Sequence, residues 1–408
     1  CVSSTRVSKK KDTALFVMHG RKRLGKGNLP SVEELAKKKA KLEAYKRLSA
    51  VLLSKRAECD FSEKMLSLTA KMANVNPDFY SIWGYRREIL MKLYPELART
   101  GENRAHLSQI YTAELKLSEN ALTQRNPKCY YAWHHRKWIL SLGGVTDFER
   151  ELELSGKFLE RDERNFHCWN YRRCVQSFVC GDPSRDVHFT KQMIEKNFSN
   201  YSAWHERSRI MQLEPAGALS DEIFFVDKAI FTEPDDQSAW IYHRWLMMRA
   251  MHNVGAAPPC VNHLGPETNL YYERYMSNLY QCGSKHCAPF EITMTVPRSD
   301  PNLKKEDLNA GVINFIVELV DSEIGKFQEL VEVEAYLKWP KLHLAFLLEQ
   351  KLCLHRVCKL KKGVGELKHT YRSLLSDLCD IDAMHKGYYV SRLQHVDLFG
   401  GGAVFSYH

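Results

Sequence analysis

The sequence predicts an all-α protein, a solenoid superhelix of stacked helical hairpins, and three observations predict it. A short phrase recurs five times before residue 245, in which Asn, Asp or Glu is followed seven positions later by Trp and then by Arg. Its members are Trp83 with Arg86, Trp133 with Arg136, Trp169 with Arg172, Trp204 with Arg207, and Trp240 with Arg244. From Trp133 onward the tryptophans fall 36, 35 and 36 residues apart, a period typical of helical repeats. Between the phrases, apolar or small residues return at helical spacing, as in Phe148, Leu152, Ser155 and Leu159, or Ile223, Val226 and Ile230. A single hairpin cannot bury its apolar stripe, so several must stack into one core with a concave face.

In chain order, residues 1–30 read as a basic, disordered leader, with Met18 the first plausible start. Residues 1–47 hold 14 Lys or Arg against 4 Asp or Glu, which is the whole formal excess of +10. The other 361 residues carry 45 of each sign, so the repeat body shows no polyanion-binding signal and no nucleic-acid partner is expected. Residues 31–56, with Leu35, Leu42, Tyr45, Leu48, Leu52 and Leu53 among many lysines, form one amphipathic helix. Repeats follow at about 61–95, 111–145, 147–181, 182–216 and 218–252 within a repeat region 31–251. Asn76-Pro77 and Asn126-Pro127 offer an N-cap and a first-turn proline, so the tryptophan helix is read as opening each unit. The 50-residue step from Trp83 to Trp133 is assigned to a loop at 95–103.

Residues 252–310 turn rich in Gly, Pro, Asn and Cys and read as an irregular insertion, with 292–296 resembling a strand. Helical periodicity returns over 311–393, with one degenerate repeat around Trp339, and 394–408 is a tail. Twelve scattered cysteines without a secretory leader fit reduced thiols in a cytoplasmic protein. Cys260, His263, Cys282, His286 and Cys287 cluster loosely, but their spacings match no zinc ligand pair, and no metal site is assigned to this chain. No apolar run approaches the ~20 residues of a spanning helix.

The repeated Trp and Arg read first as packing, with indole filling gaps between hairpins and guanidinium meeting aromatic faces and carboxylates. Two repeats break the pattern with extra polar groups. Lys128, Tyr130, His134 and His135 surround Trp133, and His167 precedes Trp169. Ammonium, phenol and imidazole groups along one edge suit a phosphate or diphosphate. No phosphate loop, nucleophile elbow or His-Glu-x-x-His helix is present. His134 and His135 point about 100° apart on a helix and make no metal pair.

The Asn-x-x-x-Tyr-x-x-Trp-x-x-Arg core seen at Asn126, Tyr130, Trp133 and Arg136 resembles that of protein prenyltransferase α subunits, over about residues 18–393 less the insertion. The likeness is to the type II branch, which geranylgeranylates Rab GTPases. It rests on Met18-His19-Gly20-Arg21, on the phrases ending at Trp169 and at Trp204-His205, and on the run from Asp235 to Trp245. The resemblance implies a right-handed α-α superhelix of prenyltransferase α-subunit repeats that curls around a β subunit. That β subunit is expected to hold zinc and the lipid pocket, leaving no cofactor in this chain. Further implied partners are geranylgeranyl diphosphate and a Rab GTPase presented by a Rab escort protein. Lys128, as the catalytic residue, and Tyr130 are implied to contact the diphosphate, joined by His167, whose neighbour is Phe166 where farnesyltransferase has Tyr. The alternatives are the α subunit shared by farnesyl and type I geranylgeranyl transferases, and a repeat scaffold without diphosphate contact. Vertebrate type II α subunits carry an immunoglobulin-like domain at the insertion point, and the insertion here has too few strand signals for one.

Overall fold

The computed structural model describes residues 31–98, 107–145, 147–179, 184–211, 216–252, 305–357 and 362–396. The leader, nearly all of the insertion with its strand-like segment and cysteine group, Met18 to Arg21, and most of the tail lie outside these residues. Every regular element among the described residues is helical. No helix among them is long and apolar enough to cross a membrane. The six described cysteines are free thiols. The chain divides into two compact units, Cys1–Gly181 and Asp182–His408.

The first unit runs α1 (Val32–Ala57), α2 (Glu63–Val75), α3 (Tyr80–Leu93), a 3-10 turn (Pro95–Ala98), α4 (Ser108–Gln124), α5 (Tyr130–Ser141), α6 (Phe148–Arg161) and α7 (Phe166–Gln176). Ser31 starts α1 with a capping box: its Oγ accepts the Glu34 N–H at 3.1 Å and the Glu34 carboxylate accepts the Ser31 N–H at 3.1 Å. The expected apolar stripe of α1 is covered in its second half, where α1 meets α2 and Tyr45 and Leu48 are half-buried. Leu52 is buried there, while Leu35, Leu42 and Leu53 stay exposed.

Helix α2 pairs with α3, α4 with α5 and α6 with α7, and the tryptophan helices α3, α5 and α7 pack side by side. The tryptophan helix therefore closes each hairpin and does not open it, which corrects the order read from the sequence. The reason lies in the Asn-Pro signals, which sit in the tight turn inside the hairpin. Asn76 ends α2, and α3 and α5 begin four residues after Asn76 and Asn126, with Phe79 and Cys129 at the N-cap positions and no side-chain cap there. The Asn76 and Asn126 side chains accept the N–H two residues on, at 3.2 and 3.0 Å, as Asx turns. Side-chain N-caps do occur one repeat later, where Asn165 accepts the Cys168 N–H at 3.2 Å, and in the second unit, where Asn200 accepts that of Ala203 at 3.0 Å.

Between α5 and α6 the chain turns through Gly143, whose φ of 74° favours glycine, and Gly144. A Cβ at Gly144 would lie 1.9 Å from the buried Tyr111 ring, so this connection closes against α4 only because position 144 lacks a side chain. Gly144→Ala is expected to lower stability by about 1–3 kcal/mol through overpacking, read as a lower urea midpoint at unchanged slope.

The second unit runs α8 (Ser184–Lys196), α9 (Tyr201–Ile210), α10 (Ala216–Thr232), α11 (Gln237–His252), α12 (Lys305–Val333), α13 (Lys338–Val357), α14 (Val364–Ile381), a 3-10 turn (Ala383–His385) and α15 (Lys386–His395). Pairs α8/α9 and α10/α11 repeat the hairpin, α11 also packs on α9, α12 and α13, and α12 through α15 each pack on the next. Helix α12 begins at Lys305, inside the span assigned to the insertion. Helix α15 follows α14 after the 3-10 turn, at the end of the span 311–393 read as C-terminal helices. Trp339 is half-buried in α13 beneath the Lys338 ammonium, 5.3 Å from its ring, unlike the five repeat tryptophans, which are buried.

Candidate functional site

Each repeat tryptophan locks its own hairpin turn. The indole N–H donates to the carbonyl six residues earlier: Trp83 to Pro77 at 2.7 Å, Trp133 to Pro127 at 2.8 Å, Trp169 to Glu163 at 2.8 Å, Trp204 to Phe198 at 2.8 Å and Trp240 to Pro234 at 2.9 Å. The turn is thus held from inside the core, and its outward side chains are presented on a rigid base.

The arginine three residues on ties helices together. Arg86, Arg136, Arg172 and Arg207 donate to a carbonyl of the preceding helix, at Leu66, Leu115, Leu152 and Val187, over 2.6 to 2.9 Å. Each also reaches a hydroxyl there, on Thr69, Ser118, Ser155 or Thr190. Arg86, Arg136 and Arg207 then grip a buried carboxylate of the following helix through two nitrogens, Glu114, Glu151 and Glu222 respectively.

Arg244 is one place off the spacing of the other four arginines. It stands four residues after Trp240, and its guanidinium packs 4.8 Å from the Phe346 ring. The register position belongs to His243, whose Nε2 is 3.0 Å from Glu323 Oε2 and whose Nδ1 meets His343 Nε2 at 2.9 Å. Asp227, His243 and Glu323 bring possible ligand atoms within 4.8 Å of one another, the grouping among the described residues that could hold a metal ion. The Lys326 ammonium lies between the two carboxylates, 2.8 Å from Asp227 and 2.6 Å from Glu323, and supplies the positive charge that arginine supplies elsewhere.

The exposed edge lies at the other end of the tryptophan helices. Tyr130 begins α5 with 54% of its surface exposed, so it faces outward although Trp133 and Arg136 are buried. Spacing by three reads as one side of a helix for Tyr130, Trp133 and Arg136, yet Tyr130, as the first residue of α5, stays outside the core. Tyr80 and Phe166 occupy the same position in the neighbouring helices and are exposed too. The Tyr130 ring lies 5.9 Å from that of His167 and 5.8 Å from that of His134. Lys128 sits in the turn before Tyr130, its Nζ 2.9 Å from Asp162 Oδ2 in the next turn. Lys128, Tyr130 and His167 therefore share one edge of the first unit.

The edge is electropositive. Burial lowers the His167 pKa, and Lys137 and Lys128 lower it further; burial followed by Arg87 and Lys137 does the same for His134. Both imidazoles are neutral near pH 7 and can donate one N–H each. Arg87 also meets His134 Nδ1 at 3.3 Å. Arg87 and Lys137 were missed in the sequence reading, although the doublets Arg86-Arg87 and Arg136-Lys137 signal them: the first member turns inward and the second outward.

His135 does not belong to this edge, contrary to expectation. It is fully buried, with Nε2 3.0 Å from Glu114 Oε2 and its ring 4.9 Å from that of Trp83. Burial lowers its pKa, so it donates to the Glu114 carboxylate as a neutral ring. What remains outside is an ammonium, a phenol and neutral imidazoles, with two further cations behind them, an arrangement suited to a diphosphate and to charge growing on it.

The chain is similar to known proteins in sequence and in fold. The sequence profile described as "Protein prenyltransferase alpha subunit repeat" matches residues 62–93, 111–142, 148–178, 183–213 and 219–250. The chain is 40% identical over 245 residues to a Mus musculus protein named geranylgeranyl transferase type-2 subunit alpha, covering 57% of this chain and 42% of that one. It is 31% identical over 274 residues to the Schizosaccharomyces pombe protein of that name, covering 62% of this chain and 77% of the relative. The chain spans about two fifths of the length of the mammalian relatives it matches. A solved structure of Candida albicans protein geranylgeranyltransferase-I complexed with GGPP is similar with a TM-score of 0.54, covering 87% of this chain and 91% of that chain; at 19% identity this is a likeness of fold. With the buried Trp and Arg lattice and the matched repeats together, the chain belongs to the protein prenyltransferase α-subunit repeat family.

Proposed function

We propose that this chain is the α subunit of a cytoplasmic, heterodimeric type II geranylgeranyltransferase, which transfers geranylgeranyl from geranylgeranyl diphosphate to C-terminal cysteines of Rab GTPases presented by an escort protein. The observation that carries the reading is the shared edge of Lys128, Tyr130 and His167, on a chain whose yeast and mammalian relatives bear the type-2 α-subunit name. The lipid pocket and the zinc that such chemistry uses are assigned to the partner β subunit.

In the transfer, the substrate thiolate attacks C1 of the lipid, a C–S bond forms, and the C–O bond breaks with its electron pair leaving on the diphosphate. Lys128 meets that growing charge with its ammonium, while the Tyr130 hydroxyl and an N–H of His167 donate to diphosphate oxygens. The rigid turn beneath Lys128 matters because donors that need no reorganisation during reaction stabilise a transition state more than mobile ones do.

The test is co-expression with type II and type I β subunits, followed by single-turnover transfer to an escorted Rab and to a CaaX peptide. A stable heterodimer with the type II β subunit that prenylates the escorted Rab is expected. Lys128→Ala is expected to slow the chemical step by about 10- to 100-fold while the heterodimer still assembles. Unchanged transfer by that variant would remove Lys128 from the mechanism. Transfer to the CaaX peptide in place of the Rab would assign the chain to the shared subunit.

A further inference from the structure

The turn residue seven positions before each tryptophan is Asn at 76, 126 and 197, Glu at 233 and Asp at 162. Its structural task is the same wherever it is Asn or Asp: one side-chain oxygen accepts the N–H two residues on, at 3.2 Å from Asp78, 3.0 Å from Lys128, 3.2 Å from Arg164 and 3.1 Å from Ser199. An amide does this as well as a carboxylate, so the turn does not account for the charge at 162.

The second oxygen does. Asp162 Oδ2 reaches across to the preceding turn and lies 2.9 Å from Lys128 Nζ. The corresponding link one turn earlier is charged on one side only, Asn126 Nδ2 donating to the Asp78 carboxylate at 3.1 and 3.0 Å. Between the α4–α5 and α6–α7 turns the link becomes an ion pair, and its cation is the lysine of the exposed edge. The pair engages one side of the ammonium, and its remaining N–H donors stay open to another acceptor.

We propose that Asp162 is a positioning residue for prenyl transfer: its carboxylate holds the Lys128 ammonium at the edge, beside Tyr130 and His167, where charge builds on the departing diphosphate. The inference rests on the function proposed above. A lysine stem left alone samples many rotamers, and the ion pair confines it before the substrate arrives. The same carboxylate repels an anion, so it opposes ground-state binding of the diphosphate while favouring the transition state. A lesion that merely loosened the fold would weaken both; loss of Asp162 alone must separate them.

The experiment uses the heterodimer with its β subunit and compares the wild type with Asp162→Asn, Lys128→Ala and the double variant. Asp162→Asn keeps the turn and is expected to bind geranylgeranyl diphosphate at least as tightly as the wild type, to melt at the same temperature, and to transfer about tenfold more slowly in a single turnover. On the Lys128→Ala background it is expected to add nothing, because its action passes through that lysine. Asp162→Glu, which keeps the charge at a position that is already Glu in the fifth repeat, is expected to transfer faster than Asp162→Asn. Wild-type transfer by Asp162→Asn, an equal slowing on the Lys128→Ala background, or equal rates for the Asn and Glu variants would overturn the role of Asp162 and leave that of Lys128 standing. Wild-type transfer by Lys128→Ala would overturn the proposed function itself.

Discussion

Arg136→Ala is expected to destabilise the first unit by about 3–5 kcal/mol, the range for breaking a buried ion pair from one side. Arg136 is fully buried; its Nε and Nη2 each lie 2.7 Å from a Glu151 oxygen, and its Nη1 donates to the Leu115 carbonyl at 2.6 Å and to Ser118 Oγ at 3.1 Å. Truncation leaves the Glu151 carboxylate, itself buried, with Tyr171 as its remaining donor at 2.5 Å, and strips a helix carbonyl of its partner. It also removes the guanidinium from beside the Tyr171 ring, 5.7 Å away. The neighbouring Arg150–Glu119 pair is the control. It is nearly as short at 2.9 Å, but Arg150 is half exposed, so Arg150→Ala is expected to cost less than about 1 kcal/mol. Urea unfolding followed by circular dichroism separates the two, and equal losses would refute the account of the arginine ties.

The second large effect is acid sensitivity centred on Glu114. Burial alone would raise its pKa, but hydrogen bonds from His135 and Arg86 outweigh burial and hold it at about 2, against an ordinary 4.5. The unfolded chain therefore takes up a proton near pH 4.5 that the folded chain refuses until about pH 2. Stability from this group is present in full above pH 4.5 and lost as pH falls toward 2, a contribution on the order of 3 kcal/mol. His135 acts in the same direction from a higher pH. Burial lowers its pKa below 6.5, so below that value the unfolded state again binds the extra proton. Glu114→Gln is expected to be less stable than the wild type at pH 7, with the difference shrinking between pH 4.5 and 2.5. Other carboxylates titrate in that window, so the difference between the two urea-midpoint curves is the measurement, and parallel curves would contradict the Glu114 assignment.

Much of the fold was legible because its determinants are local. The period of 35 to 36 residues, the apolar spacing and the Trp phrase all lie within one hairpin's length, and each is repeated. The order within the hairpin was not, since Asn-Pro followed by an aromatic helix suits a turn inside a unit as well as a start to one. Only the packing of α4 on α5, with the Trp133 indole bonded back to Pro127, distinguishes them. The candidate site divides in the same way. Lys128, Tyr130 and His167 stood out as departures from a repeated pattern, whereas Arg87 and Lys137 looked like ordinary helix charges.

By itself the sequence determined the class, the helical repeat, its five copies and the two of them that carry extra cationic and imidazole groups. Tertiary structure decided which of two adjacent similar residues does which job: His135 inside and His134 outside, Arg136 inside and Lys137 outside, His243 in the place that Arg244 resembled. The physical reason is that neighbours on a helix differ by about 100° in direction, so identity along the chain leaves the facing side open. A partner distant in sequence closes it: Glu114 draws in Arg86 and His135, Glu151 draws in Arg136, and Glu323 draws in His243. Asp162 does the same across the exposed edge, turning a lysine that the sequence could only single out into one held beside Tyr130 and His167.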